Sequence, residues 1–314
     1  MRALVTGAAG FIGSTLSERL LAQGATVIGV DCFTDYYPRE RKEQNLARLR
    51  SDPNFTLVES AIADAELPRL LEGTTHVFHL AAQAGVRKSW GRDFRVYTEN
   101  NVDATQILLE ACVGRPLERL VYASSSSVYG DEVALPMRED ALPQPVSPYG
   151  VSKLAAEQLC HLYYVNYGVP AVSVRYFTVY GPRQRPDMGF HKFIRAAVRH
   201  EPVPQFGDGR QTRDFTFVAD AVTATIAAAK QGTPGRVYNI GGGSRVELLD
   251  VFALIGRVTG QALQIDRIDK QRGDMRDTYA DTTRARADLG FAPTVSLEEG
   301  LRAQYQWMTE AGLF

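Results

Sequence analysis

Cysteine is scarce in this sequence. Three stand among 314 residues, Cys32, Cys112 and Cys160, far apart and with neither zinc-ligand spacing nor the even count of a disulfide framework. They read as buried or half-buried thiols of a reducing cytoplasm. Net charge is missing too. With 35 basic and 36 acidic residues the formal charge is -1, so no bulk field advertises nucleic acid or an anionic membrane, and an anionic ligand has to be met locally. No apolar run is long enough to span a bilayer. Met1-Arg2 leads straight into a short apolar segment and a glycine turn, without the apolar stretch and cleavage site of a signal peptide. Internal repeats and low-complexity tracts are absent. With 45% hydrophobic residues the chain buries a substantial core, as one large domain or as a domain with a smaller lobe.

What is present begins with glycine. Arg2–Thr6 is apolar and β-rich, Gly7-Ala8-Ala9-Gly10-Phe11-Ile12-Gly13 follows, and an amphipathic stretch runs to Gln23. This is strand, glycine turn, helix: backbone N–H groups approach a pyrophosphate, and the helix N-terminus favours the anion. The spacing G-x-x-G-x-x-G differs from the commoner G-x-G-x-x-G, yet its place between strand and helix predicts a dinucleotide site. A second strand, residues 26–30, ends in Asp31, near the separation of about 20 residues expected for a carboxylate bonding the adenosine ribose 2′-OH. That carboxylate repels a 2′-phosphate and favours NAD over NADP; the plainer alternative is a strand-end turn cap.

The β-α alternation continues. Residues 33–50, rich in Tyr, Arg, Lys and Glu, read as a loop and a solvated helix; 55–62 and 76–80 are apolar strands flanking a helix-like 65–71. Leu80-Ala81-Ala82-Gln83-Ala84-Gly85 puts small side chains at a strand's C-terminal end, where open α/β sheets hold ligands. His79 reads as a packed strand-end residue, since no second ligand stands at metal spacing beside it. Residues 98–113 carry apolar positions at helical period, and 119–123 form a strand delivering Ser124 to Ser127 to the same edge. After a Pro-rich loop, a helix runs from Tyr149 to about Tyr167. Residues 172–176 give a further strand, 181–188 an irregular cationic turn. A returning strand at 236–240 and helices near 246–259 and 297–309 complete the chain. The fold predicted is α/β, a Rossmann-type doubly wound parallel sheet with a smaller C-terminal lobe.

Tyr149 and Lys153 stand four apart and share a helix face. An ammonium there stabilises a phenolate and lowers the tyrosine pKa, which suits a general base near neutral pH. Such a pair also occurs on solvated helix faces; the upstream serines and the glycine loop distinguish this one.

Taken together, residues 6–13, Asp31, 80–83, Asn101-Val102, 124–130, Tyr149/Lys153 and 175–182 closely resemble the extended short-chain dehydrogenase/reductase family, over essentially the whole chain. The resemblance implies a tightly held NAD, a nucleoside-diphosphate sugar, and chemistry that opens with oxidation at sugar C4. Ser125-Ser126-Ser127 fills the places where sugar 4,6-dehydratases carry Thr-Asp-Glu and where UDP-glucuronate decarboxylases put Glu. Residues 175–188 with 81–87 look most like the UDP-glucuronate 4-epimerases. A neutral-sugar UDP-glucose 4-epimerase is the nearest alternative, with Arg185 then facing solvent; a non-catalytic NAD sensor is another.

By that resemblance the catalytic residues are Ser125, Tyr149 and Lys153. Gly7, Gly10, Phe11, Ile12, Gly13, Asp31, Ile62, Leu80, Ala81, Ala82, Asn101 and Tyr176 join Tyr149 and Lys153 around NAD. The UDP-sugar falls to Arg87, Ser125, Ser126, Ser127, Tyr149, Thr178, Arg185, Gly189, Phe206, Arg213 and Asp274; no metal is implied. The resemblance implies Arg213 as the diphosphate ligand. On chemical grounds, since a uronate brings a second anion and Arg a planar fork suited to it, Arg185 with Thr178, Ser126 and Ser127 is expected to form the receptor of the C5 carboxylate, with Arg87 and Arg183 as rivals and a solvent-facing Arg185 as the alternative. Three positions depart from relatives: Ala61 for an Asp near adenine, Gly189 for an Ala, and Gln271-Arg272-Gly273-Asp274, which only approximates the ribose-contacting segment. Residues 1–180 with about 216–243 are expected to bind NAD, and 181–215 with 244–314 to form the sugar lobe, in a cytoplasmic homodimer pairing helices near Thr98 and Tyr149 across a two-fold axis.

Overall fold

The computed structural model describes residues 1–269 and 273–314; Gln271 and Arg272, named above, lie outside the described residues. The first half alternates strand and helix: β1 (Arg2–Thr6), α1 (Phe11–Ala22), β2 (Thr26–Asp31), α2 (Arg39–Leu46), β3 (Phe55–Glu59), α3 (Leu67–Leu70), β4 (His76–His79), α4 (Phe94–Tyr97), α5 (Ala104–Cys112), β5 (Arg119–Ser125), α6 (Pro148–Tyr167) and β6 (Ala171–Tyr176). The second half is less regular: β7 (Val179–Tyr180), α7 (Gly189–Arg199), β8 (Pro202–Phe206), β9 (Thr212–Asp214), β10 (Thr216–Phe217), α8 (Val218–Gln231), β11 (Val237–Ile240), β12 (Arg245–Glu247), α9 (Leu248–Thr259), β13 (Gln264–Ile268), α10 (Thr283–Leu289) and α11 (Leu297–Glu310).

Seven strands form one parallel sheet in the order β11-β6-β5-β4-β1-β2-β3, the doubly wound arrangement the sequence predicts. Strand residues alternate between two cores, as the period of two requires. Ala3, Val5, Val121 and Val174 join the core containing residues of α1 and α8, while Leu4, Val77, Leu120 and Tyr122 join residues of α5 and α6 in the other. Because both faces are covered, the strands read as nearly continuous apolar runs. The order reverses between β1 and β4, and there the carboxyl ends of the strands open a crevice.

The chain leaves the sheet after β6 and returns to it at β11, which pairs with β6 from Val237↔Ser173 to Ile240↔Tyr176. Beyond the sheet, α7, α9 and α11 enclose a separate core of Phe190, Ile194, Val251, Ile255, Leu301 and Met308, flanked by the small pairings β8–β13 and β9–β12.

Helices α7, α8 and α10 fall in stretches where the sequence reading placed no helix, and β3 ends at Glu59 short of the expected 62; other elements it did place differ for a physical reason. The helix expected over 65–71 shrinks to Leu67–Leu70, with Pro68 in its first turn and a left-handed Gly73 behind it. Residues 98–103 are π-helical rather than α-helical; within them the buried Asn101 faces Gln83. The helix predicted from Val246 starts at Leu248 because 245–247 pair with β9. Finally, α2 is not a solvated face all round, since Lys42, Asn45 and Leu46 are buried. Among the described residues no helix is long and apolar enough to cross a membrane.

Candidate active site

The crevice is a cavity of about 630 Å3 lined by the glycine loop, the end of β2, the strand ends after β4 and β5, Tyr149, Lys153, Tyr176 and Arg185. Its floor is shaped by missing side chains. A Cβ on Gly13 would run into the Gly7 carbonyl oxygen, and one on Gly7, which holds φ +69°, would stand 2.9 Å from the Ala81 nitrogen. Only glycine lets α1 start this close to the sheet, with Gly10 as N-cap and the Gly10–Gly13 backbone on the wall. Thirteen of the cofactor residues inferred from the sequence, Gly7, Gly10, Phe11, Ile12, Gly13, Asp31, Ile62, Leu80, Ala81, Ala82, Tyr149, Lys153 and Tyr176, line this cavity. The exception is Asn101. Its side chain donates to the Gln83 carbonyl and the Ser152 hydroxyl and accepts from the Gln83 N–H, so it stands behind the wall and fixes the loop after β4. A glycine cradle at a helix N-terminus, with a carboxylate at the end of β2, fits a dinucleotide.

Asp31 is buried and answers three donors: the Ala9 N–H at 3.1 Å, the Phe33 N–H at 2.9 Å and the Lys42 ammonium at 3.0 Å. The sequence reading missed Lys42. It lines the cavity and lies between the rings of Phe33 and Tyr37, 5.5 and 5.4 Å from their centroids. Cys32, expected to be at least half buried, is exposed and borders the cavity; Cys112 and Cys160 are buried.

Ser147 caps α6 by accepting from the Gly150 N–H, which opens the helix with Tyr149 at the cavity. Burial raises the Tyr149 pKa above the ordinary phenol value, while a hydrogen bond with Ser125 and the charge of Arg185 pull it back down. Lys153 shares the face, yet its ammonium lies over the Tyr122 ring, 4.4 Å from the centroid, and burial lowers its own pKa to about 7. Ser125 and Arg185 both favour a phenolate in this structure, a task the sequence reading gave to Lys153 alone. His79 bonds the hydroxyls of Thr6 and Thr105, and burial depresses its pKa to about 3, so it is a packed, neutral strand-end residue.

The substrate residues divide. Ser126, Ser127, Thr178, Arg213 and Asp274 line a second cavity of about 200 Å3, whereas Arg185 lines the large one with Tyr149. Ser125, whose oxygen accepts from the Ser127 N–H and which bonds Tyr149, lines neither cavity, while its neighbours Ser124 and Ser126 line the large and the small one. The carboxylate receptor inferred from the sequence is thus split across two cavities. Arg213 directs its guanidinium at the carbonyls of Thr212, Met275 and Arg276 at 2.7–2.9 Å, holding the loop beside Asp274. Arg87 pairs with Asp274 at 2.6 Å and stacks on Phe206, 3.7 Å from the ring centroid. Gly189 opens α7, where an added Cβ would meet the Phe193 ring at 3.3 Å; it lines neither cavity. Of the rival cations, Arg183 is taken by Glu18 of α1 at 2.6 Å.

Arg185 is four-fifths buried and bound side-on to Asp187, with Tyr36 stacked near it, 5.8 Å from guanidinium carbon to ring centroid. Among the described residues no cluster of His, Cys, Asp and Glu is arranged for a metal ion.

Residues 3–241 match the NAD dependent epimerase/dehydratase family. A Bacillus subtilis protein named as an uncharacterized UDP-glucose epimerase is 43% identical over 311 residues, 98% of each chain. The UDP-glucuronate 4-epimerase of Thermodesulfobacterium geofontis is 36% identical over 312 residues, 98% of this chain and 96% of that one. The crystal structure of Bacillus cereus UDP-glucuronic acid 4-epimerase with UDP-glucuronic acid and NAD superposes with a TM-score of 0.96 at 43% identity, covering 99% of this chain and 100% of that one.

Proposed function

Because this chain belongs to the NAD dependent epimerase/dehydratase family, we propose that it interconverts UDP-glucuronate and UDP-galacturonate through a transient 4-keto sugar, as an NAD-dependent 4-epimerase. NAD, when bound, supplies a reversible hydride acceptor for sugar C4. Tyr149 removes the proton of O4 and later returns it, with Ser125 bonded to the phenol and poised to bond O4. Lys153, at the same wall of the cavity, holds the cofactor's ribose. Serines at 125–127 leave elimination without its acid and base, so the keto sugar has one productive course: to turn over and be reduced on its other face. A 4-keto uronate is a β-keto acid, and holding its carboxylate near the plane of the ketone denies the overlap that loss of CO2 needs. Binding energy from the remote nucleotide keeps the sugar oriented yet loose.

The observation that carries the uronate is Arg185, a cation four-fifths buried in the cavity of Tyr149 and near enough to act on its pKa. A neutral sugar needs no such charge, whereas a carboxylate matches a guanidinium. A second reading, a UDP-glucose 4-epimerase, draws on the Asp187 partner that already neutralises Arg185. The NAD-loaded protein offered each UDP-sugar, with products followed by anomeric NMR, separates the two. Truncating one partner of a buried charge pair costs about 2–5 kcal/mol, so Arg185→Ala should weaken UDP-glucuronate far more than UDP-glucose. Equal losses, or equal wild-type turnover of both sugars, would make the neutral-sugar reading the better one.

The same reading assigns 1–180 with about 216–243 to the cofactor and 181–215 with 244–314 to the nucleotide sugar. It makes the enzyme a cytoplasmic homodimer, supported by the exposed Val151, Leu162 and Val165 of α6, an apolar face suited to a second copy.

A further inference from the structure

Arg185 meets the cavity with part of its charge already answered. Residues 185–188 form a tight turn in which the Met188 N–H donates to the Arg185 carbonyl at 3.1 Å. That turn folds the Asp187 carboxylate back along the guanidinium, which donates from Nε and from Nη2, both at 2.9 Å. The Tyr36 hydroxyl, reaching over from the loop after β2, donates to the same carboxylate at 3.4 Å. Backbone and aromatic neighbour therefore build the pair in. Side-on pairing engages Nε and one Nη2 hydrogen, leaving the Nη1–Nη2 end as the edge a second carboxylate would take.

We propose that Asp187 is a specificity-setting positioning residue: it fixes the guanidinium of Arg185 by its side edge and offsets its charge, so that a sugar carboxylate is recognised at the end-on edge yet let go when the ring turns. This rests on Arg185 being the uronate receptor. The physical need comes from the turnover itself. A half-turn that keeps C4 in place exchanges the C3 and C5 edges of the ring, so the carboxylate on C5 must leave its first partner during every cycle. An uncompensated buried Arg would hold that carboxylate tightly in the ground state, which lowers KM without raising kcat and opposes the turn. With Asp187 in place, the incoming carboxylate joins a pair that is already neutral, and its hold is moderated by a like charge across one guanidinium.

The test measures the affinities of NAD-loaded enzyme for UDP-glucuronate and UDP-glucose by calorimetry, alongside turnover of UDP-glucuronate, in Asp187→Asn, Asp187→Glu and Arg185→Gln. Asparagine keeps a hydrogen-bond acceptor for Arg185 but removes the charge. The Kd ratio of UDP-glucuronate to UDP-glucose should then fall about tenfold, with kcat and KM on the uronate falling together, and Asp187→Glu should restore both. If Asp187→Asn weakens the two nucleotides in parallel, or leaves their ratio where it was, while Arg185→Gln still discriminates against the uronate, Asp187 is merely structural and the proposal is overturned. If Arg185→Gln itself affects both sugars equally, the receptor assignment fails first and takes this inference with it.

Discussion

Replacing Asp31 by Asn probes cofactor choice and stability at once. Asp31 accepts from two backbone N–H groups and from Lys42, with both side chains of the ion pair about 6% exposed. The amide keeps one acceptor oxygen, turns an NH2 toward donors, and leaves the Lys42 ammonium without its counter-charge between Phe33 and Tyr37. Breaking a buried pair from one side costs about 3–5 kcal/mol. Taking about 3, the cofactor-free protein should melt roughly 6–12 °C lower, at about 2–4 °C per kcal/mol for a chain of this order of size. NAD should bind about 10- to 150-fold more weakly, the equivalent of a lost charge-assisted bond of about 1.5–3 kcal/mol. NADP should move the other way, because the group repelling its 2′-phosphate is gone and a cation now faces it. Lys42→Met should cost less stability, since Asp31 retains its two backbone donors, and Asp31→Asn/Lys42→Met should recover much of what the single Asn variant loses. Thermal unfolding without cofactor and calorimetric titration with NAD and NADP supply the readouts. An Asp31→Asn protein with unchanged melting temperature and an unchanged NAD/NADP ratio would refute the reasoning.

Two further outcomes follow from burial. Glu157 accepts from Arg175 at 2.6 and 3.0 Å and from Ser124 at 2.6 Å, and the ion pair is 2–3% exposed; Glu157→Gln should lower stability by about 3–5 kcal/mol in denaturant titration, and a loss under 1 kcal/mol would show the charge to be dispensable. Catalysis that needs the Tyr149 phenolate should rise with pH, because burial holds the phenol pKa above its ordinary value. Ser125→Ala removes a bond that favours the phenolate, so the rising limb of kcat/KM should move to higher pH; a limb that stays put would separate the Ser125 hydroxyl from the titration.

Much of the site was legible because its chemistry is local in sequence. The glycine turn and the Tyr149/Lys153 pair each declare themselves within a dozen residues, Asp31 by its distance of about 20 from the glycine loop, and their strands and helices carry plain apolar periodicity. Lys42 did not, since Arg-Glu-Arg-Lys-Glu-Gln-Asn-Leu is polar on every side and nothing in its pattern says which face the sheet will cover. Nor did the bonds of Asn101 to Gln83 and Ser152, since a π-helical turn shifts the register by which a helix presents its side chains. The tuning of Tyr149 by Arg185 joins residues 36 apart (185 − 149) on different elements, which no spacing rule reports. The Arg185–Asp187 pairing, two residues apart, could have been suspected from an Arg-Pro-Asp turn.

The place of β11 at the end of the sheet has a consequence during synthesis. Its partner β6 ends at Tyr176, and β11 begins at Val237, so 61 residues (237 − 176) must be made before the seam can close. At about 5–20 residues per second, that interval lasts roughly 3–12 s. Throughout it, β6 offers an unpaired row of N–H and C=O groups behind an apolar run, the kind of edge on which nascent chains stick to one another. A ribosome stalled before Val237, or a gene cut there, would therefore release not a smaller working dinucleotide domain but a sheet with its final hem unsewn, a natural client for chaperones.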